Sequence, residues 1–354
     1  MNIPGASAFA ALSRRIRTLI IGGVAFLVLL ALALTMPVPY VVLTPGPTYN
    51  TLGADSQGNT IIVINGTKQN KTTGNLNMTT VDVTLQKQTV FDVFSAWLAS
   101  DQVVVPRSSI YPPGESQHQV DTQNTQDFSE SQDNAVAASS CELGYPHEFG
   151  VSSVLSSGPS YNKLKPADIF ETLNGAKITT SKSLLTALSK ISAGSTVQLG
   201  ILREGKATTV SIKLAAPLKG RAGGSLGIEP GSVCQLPFAV DLGLGNQIGG
   251  PSAGMMFSLG IMDKVGKIDL THGQFIAGTG TIDPSGNVGA IGGIQLKMIA
   301  ARRAGATVFL APAGNCSDVS GAIPKGLDVI KVDTLHHAVQ DLQNLHAGKA
   351  VPHC

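Results

Sequence analysis

Charge is scarce in this chain. Asp, Glu, Lys and Arg make up only 14% of it, and 25 basic against 23 acidic side chains leave a formal net charge of +2. No overall field would recruit nucleic acid, and no basic stripe carries interleaved aromatics, so a nucleic-acid partner is not expected. Cysteine is sparse as well: Cys141, Cys234, Cys316 and Cys354 sit at spacings that match no zinc pattern, so no metal is implied. No phosphate loop of the form GxxxxGKS or GxxxxGKT occurs, and nothing else calls for ATP or another cofactor. Apolar residues, by contrast, make up 43% of 354 residues, enough to bury more than one core and to build two or three domains.

The apolar content is concentrated first at the N-terminus. Arg14, Arg15 and Arg17 precede an uncharged run from Leu19 to Met36 whose length fits a membrane span. By the positive-inside rule, residues 1–18 form a cytoplasmic tail, 19–36 the transmembrane helix, and everything after Pro37 is exported. Ala31-Leu32-Ala33 also fits the cleavage site of a signal peptide, an alternative that exports the body equally. In an exported body the cysteines are candidates for disulfides.

Residues 37–59, rich in proline and glycine, are expected as an extended linker. Strands are expected at 60–65 and 78–85, an amphipathic helix at 89–99, a loop over 103–126 and a second helix over 126–142. Residues 149–214 then alternate short β-branched runs with turn signals. Strands are expected at 151–155, 168–173, 196–203 and 208–214, with a helix at 181–191. Gly158-Pro159-Ser160, Leu164-Lys165-Pro166-Ala167-Asp168, Asn174-Gly175 and the stretch Gly194 to Gly205, in that order, resemble a PDZ domain of the protease-associated type. Ala167 stands where that family usually has glycine. The resemblance implies a peptide-binding module at 146–217, with a groove between the strand 151–155 and the helix 181–191, and with Phe149, Gly150 and Val151 at the peptide terminus. An inert groove in a merely structural β-domain is the alternative.

Chemistry is carried further on. In Gly249-Gly250-Pro251-Ser252-Ala253-Gly254, proline suits a first helical position, which would put Ser252 in a first turn whose free N–H groups and positive dipole end can hold an oxyanion. Taken alone, the same serine could equally be one that only starts a helix. Gly292 to Gly305 reads as a second helix, on which the neighbours of Lys297 at helical spacing are Gly293, Ile294, Ala300, Ala301 and Ala304. A lysine on that small, apolar face loses preference for its charged form and can act as a base, unless its stem carries the amine out to water.

Together these segments resemble the proteolytic domain of Lon proteases, and within them the exported PDZ-containing Lon-like proteases. The resemblance rests on Gly250 to Gly254, on Ala277-Gly278-Thr279-Gly280 through Gly286-Asn287-Val288, on Gly292-Gly293 with Lys297, and on Gly305-Ala306 leading to Pro312 and Asn315. Ser252 and Lys297 lie 45 residues apart, close to the family spacing. It implies an α/β (α+β) Lon-type domain, split into 60–145 and 218–348 by the inserted β-rich PDZ domain. It also implies that Ser252 is the nucleophile, Lys297 the general base and Thr279 its orienting partner, with Gly250 and Pro251 shaping the turn. Gly249 departs from the family, where many members carry an aspartate.

The function implied is ATP-independent endopeptidase action outside the membrane on unfolded, extended or membrane-released polypeptides; a homo-oligomer is compatible with it. A non-catalytic binding or chaperone module built on the same folds is the alternative, and an envelope scaffold a third. The Lon-like layout further implies a disulfide between Cys234 and Cys316, if the strands at 237–242 and 308–311 run antiparallel in one sheet. Cys141 is then a packed hydrophobe and Cys354 a mobile terminus.

Overall fold

Ser13 accepts the Ile16 N–H and so caps the first helix, α1 (Arg14–Thr35), none of whose residues is buried. A computed structural model describes residues 13–55, 57–217, 219–220, 222–244 and 248–354. The expected tail thus lies, up to residue 12, outside the described residues. At 22 residues, with a mean hydropathy of 2.6 over its most apolar 18-residue stretch, α1 is long and apolar enough to cross a membrane.

The expected linker over 37–59 instead contributes strands β1 (Pro37–Val38) and β2 (Tyr40–Asn50). They are followed by β3 (Ile62–Asn65), β4 (Asn75–Val83), β5 (Gln88–Thr89), α2 (Val90–Leu98) and β6 (Val103–Pro106). A capping box opens α2: Thr89 accepts the Asp92 N–H while Asp92 accepts the Thr89 N–H. The loop expected over 103–126 ends early, because α3 (Gln117–Glu142) starts well before residue 126. Its first turns are polar and exposed apart from Val120, so no apolar stripe announces them.

Two compact units result, Met1–Pro45 with Val81–Ser116, and Gly46–Thr80 with Gln117–Cys354. In the first, β1 pairs antiparallel with β5, Pro37 opposite Thr89, and Tyr40–Leu43 of β2 pair antiparallel with β6.

In the second unit the chain continues through β7 (His147–Val154), β8 (Ile169–Leu173), β9 (Ala176–Lys177), α4 (Ser181–Leu188), β10 (Thr196–Arg203), β11 (Lys206–Lys213) and β12 (Ile228–Cys234). These strands form an antiparallel sheet in the order β11-β10-β8-β7-β12, over a core that includes Val151, Phe170, Leu184, Leu199 and Ile212. Ala167, where the family pattern has glycine, adopts a left-handed φ of 70°. The sheet therefore extends past residue 217, the expected end of the module, to Cys234.

The remainder supplies β13 (Ala239–Leu242), α5 (Gly254–Val265), β14 (Phe275–Gly278), β15 (Thr281–Ile282), β16 (Val288–Gly289), α6 (Ile294–Ala304), β17 (Val308–Pro312), α7 (Cys316–Val319), β18 (Asp328–Val332) and α8 (Leu335–His346). Strands β18, β17, β14 and β4 are parallel neighbours in that order. Strand alternation sends Ile276, Leu310 and Ile330 toward the core of α5, and Ala277, Phe309 and Val329 toward that of α6. Covered on both faces, β17 is apolar throughout, as buried parallel strands are. Helix α5 is buried from Gly254 to Lys264 and hydrophobic nearly all round. The fold is mixed α/β, with an antiparallel β-rich module between α3 and β13.

The disulfides differ from expectation. Cys141 bonds Cys234 and Cys316 bonds Cys354, leaving no free cysteine among the described residues. The expected Cys234–Cys316 bond needed antiparallel neighbours in one sheet. Instead β13 pairs with β3, β17 lies between two parallel strands, and β12 belongs to the β-rich module. Cys234 thereby meets the last turn of α3. The C-terminus is held rather than loose, since His353 bridges to Ile330 and the Lys331 N–H donates to the Pro352 carbonyl.

Candidate active site

The turn before α5 is fixed from α3. Gly250 has a φ of 83°, which a side chain would strain, and its N–H donates to the Asn124 carbonyl at 2.8 Å. The Ser131 hydroxyl donates to the Pro251 carbonyl at 2.8 Å. A side chain at 249 would stand 2.8 Å from Asn124 Cβ, and one at 254 would stand 2.8 Å from Ser131 Oγ. The close approach of α3 thus accounts for glycine at 249, and that of α3 together with Ile282 on β15 for glycine at 254.

Ser252 does not lie in the first helical turn, as expected, but one residue before the cap. Ala253 (φ −98°, ψ −9°) caps α5, and its carbonyl accepts the Phe257 N–H. The backbone of Ser252 is tied down separately: its carbonyl accepts the Gly280 N–H at 2.8 Å and the Thr279 hydroxyl at 3.0 Å.

Lys297 arrives from the other side of the parallel sheet. Gly293 (φ 69°) precedes α6 and Gly305 (φ 108°) ends it. The lysine is only 4% exposed; Ile294, Ala300 and Ala301 around it are buried, whereas Gly293 and Ala304 are exposed. Its Nζ stands 2.8 Å from Ser252 Oγ and 3.0 Å from Thr279 Oγ1. Because the Thr279 hydroxyl gives its proton to the Ser252 carbonyl, its lone pairs are left for the amine. Burial depresses the lysine pKa to about 8.

From the sequence alone, three polar residues here had no role of their own. Asn124 and Ser131 lie on the polar stretch of α3, where no spacing rule singles them out. Asn315 is buried; its Oδ1 accepts the Ile291 N–H and its Nδ2 donates to the Ile291 carbonyl, pinning the loop that leads into α6. It belongs to the quoted Lon-like pattern, although spacing alone gave it no task.

The strand of the expected groove is not a sheet edge. Strand β7 lies between β12, with which it pairs along its length, and β8, with which it pairs at Gly150. Phe149 packs on Phe170 with ring centroids 5.2 Å apart, Gly150 pairs with both Ile169 and Gly231, and Val151 is fully buried. The edge is β12, to which only β7 pairs among the described strands. Between β12 and α4 runs a cleft lined by Leu184, Leu185, Leu188, Leu226, Ile228 and Pro230.

Two family models match parts of the chain. Residues 122–214 match the family model of the PDZ domain, and residues 245–345 that of the Lon protease (S16) C-terminal proteolytic domain. The archaeal Lon protease of Methanocaldococcus jannaschii is 37% identical over 102 residues, which are 28% of this chain and 15% of that protein. The chain therefore spans a small part of that relative. Among solved structures, the PDZ domain of the SdrC-like protein of Listeria monocytogenes is 23% identical and covers 23% of this chain and 86% of its own, with a TM-score of 0.22. Its Listeria innocua counterpart is 25% identical over 23% of this chain and 92% of its own, also with a TM-score of 0.22.

Proposed function

We propose that this chain, a PDZ-containing Lon-like serine protease by its two matched domains, cleaves polypeptides without ATP by a Ser252–Lys297 dyad, on the outer side of the membrane that α1 crosses. The observation that carries the proposal is the buried lysine amine 2.8 Å from the serine hydroxyl, with a pKa lowered to about 8. Near neutral pH a useful fraction of Lys297 is uncharged and able to take a proton.

In the first step the Ser252 hydroxyl proton passes to Lys297 Nζ while Oγ bonds to the scissile carbonyl carbon. Backbone N–H groups at the start of α5 would stabilise the developing oxyanion, although that of Met255 is already donated to the Gly280 carbonyl. The C–N bond then breaks, and the lysine ammonium returns its proton to the leaving amine. Water, deprotonated by the same amine, attacks the acyl ester, and Ser252 leaves with that proton. Thr279 holds the amine in line by accepting one of its hydrogens.

Peptides would be recruited by adding as a strand to β12, with apolar side chains entering the leucine-lined cleft beside α4. With no phosphate loop to power unfolding, the substrates are already extended, unfolded or released from the membrane. Arg14, Arg15 and Arg17 before the apolar run favour an exported body, and pairing of all four cysteines fits an oxidising compartment.

The test is hydrolysis of a denatured polypeptide by the purified full-length chain, with and without ATP and a chelator, beside Ser252→Ala. Turnover indifferent to both additions and absent from the variant is expected. Undiminished turnover in folded Ser252→Ala would refute the dyad, and ATP-stimulated turnover would refute the ATP independence.

A further inference from the structure

Helix α2 is oriented the wrong way for a helix of a water-soluble unit. At about 100° per residue, Val90, Phe91, Phe94, Trp97 and Leu98 fall within one arc of roughly 120°. That arc would ordinarily face a core. Here it faces out: Trp97 is 73% exposed, Leu98 66%, Phe94 56% and Phe91 52%. Ala96 on the opposite side is the residue that is buried. Leu85 and Met36 add to the same unit's exposed apolar surface. Contiguous aromatic and aliphatic exposure of this kind marks a surface that water does not normally cover.

The occupant follows from where the helix is tied. Pro37, the second residue after α1, pairs with Thr89, the residue that caps α2, and Val38 pairs with Gln88. Paired strands lie about 5 Å apart, and nine helical residues extend about 13 Å, so all of α2 stays within roughly 20 Å of the point where α1 ends. The two helices also touch. Asp92, the one acidic residue of α2, lies off the apolar arc and is engaged in the cap, while Lys87 stands exposed just before β5. Phenylalanine and tryptophan on one face, beside a basic residue and the end of an apolar span, make up the chemistry of a membrane–water interface.

We propose that α2 lies in the lipid headgroup region at the C-terminal end of α1, with Phe91, Phe94, Trp97 and Leu98 inserted among the acyl chains, as a second, interfacial attachment. This rests on α1 being a membrane span.

Trp97 is the single tryptophan of the chain, so its fluorescence reports on α2 alone. The full-length protein is reconstituted into vesicles of phosphatidylcholine and phosphatidylglycerol and floated on a density gradient. The expected result is blue-shifted emission, protected roughly fivefold or more from aqueous iodide relative to free tryptophan. Lipids brominated near the glycerol end of the acyl chain should quench it more than lipids brominated near the terminal methyl. A Phe91→Ser, Phe94→Ser double variant, which keeps the reporter, should lose most of the bromolipid quenching while hydrolysing peptides as before. Water-like emission quenched by iodide in protein that still floats would overturn the interfacial helix and leave the span intact. Blue-shifted emission insensitive to both quenchers would overturn it too, because a protein surface would then cover the helix. Failure to float would refute the span itself, and the interfacial helix with it.

Discussion

In the proposed catalytic centre the side chains of Ser252 and Thr279 meet at one amine, with Ser252 Oγ and Thr279 Oγ1 both within 3.0 Å of Lys297 Nζ. In the proposed peptide cleft the groups available for recognition are mostly main chain, the edge of β12, with leucines of α4 that many apolar residues could replace. A centre made of side chains demands particular residue types at particular positions and leaves a legible pattern. A groove made of backbone depends on which strand ends up at the edge, and that is a property of topology.

Breaking the first site should have the largest effect. Ser252→Ala, Lys297→Ala and Lys297→Arg are each expected to lower kcat/KM by roughly a thousandfold or more, with the fold retained by circular dichroism. The arginine variant is the discriminating one, because a guanidinium stays protonated and cannot accept the serine proton. In the wild type, kcat/KM should climb tenfold per pH unit and level off above about 8, following the neutral amine. A profile flat between pH 6 and about 9 would show that another group is the base.

The same lysine should weaken the fold that carries it. Its pKa is about 8 in the folded chain and 10.5 when unperturbed, so the folded state binds fewer protons between those values. The cost of a buried ammonium is complete below about 8 and fades as pH rises toward 10.5. Lys297→Met should therefore stabilise the inactive protein by about 2 kcal/mol at neutral pH, an advantage that shrinks in alkali. Denaturant titrations at pH 7 and pH 10 measure it, and a variant less stable than wild type at both would contradict the account.

The cleft gives a smaller effect. Leu185 lines it and is 40% exposed, so Leu185→Glu should cut affinity for apolar peptides roughly tenfold without disturbing the core or the hydrolysis of a short free substrate. Phe149→Ala should lower stability through its lost contact with Phe170 and leave peptide affinity near wild type. Calorimetry with both variants separates the β12 cleft from the groove first expected between the strand 151–155 and the helix 181–191, and the reverse pattern would restore the latter. Smallest of all is Ala167→Gly, which removes a left-handed alanine and should stabilise by about 0.5 kcal/mol in thermal melts.

What the sequence made legible follows the same division. The strand at 196–203 and the helix beginning at 181 stand where alternation and turn signals put them, because each buries one face in the module's own core. Strand β12 escaped because its place at the sheet edge is set by residues far away in sequence. The first turns of α3 escaped because Gln117 to Asp127 have almost no apolar face, although Asn124 within them holds the nucleophile turn. The disulfide pairing escaped because it depends on which sheet each strand joins, and no spacing of four cysteines encodes that.

The Cys141–Cys234 bond sits at the neck of the inserted module, where the chain leaves α3 and where it returns at the end of β12. The intervening residues form a closed covalent ring hung from the catalytic body. A single nick anywhere in that ring would leave both new ends fastened to one molecule. Only reduction of the bond as well would let the two halves of the chain part.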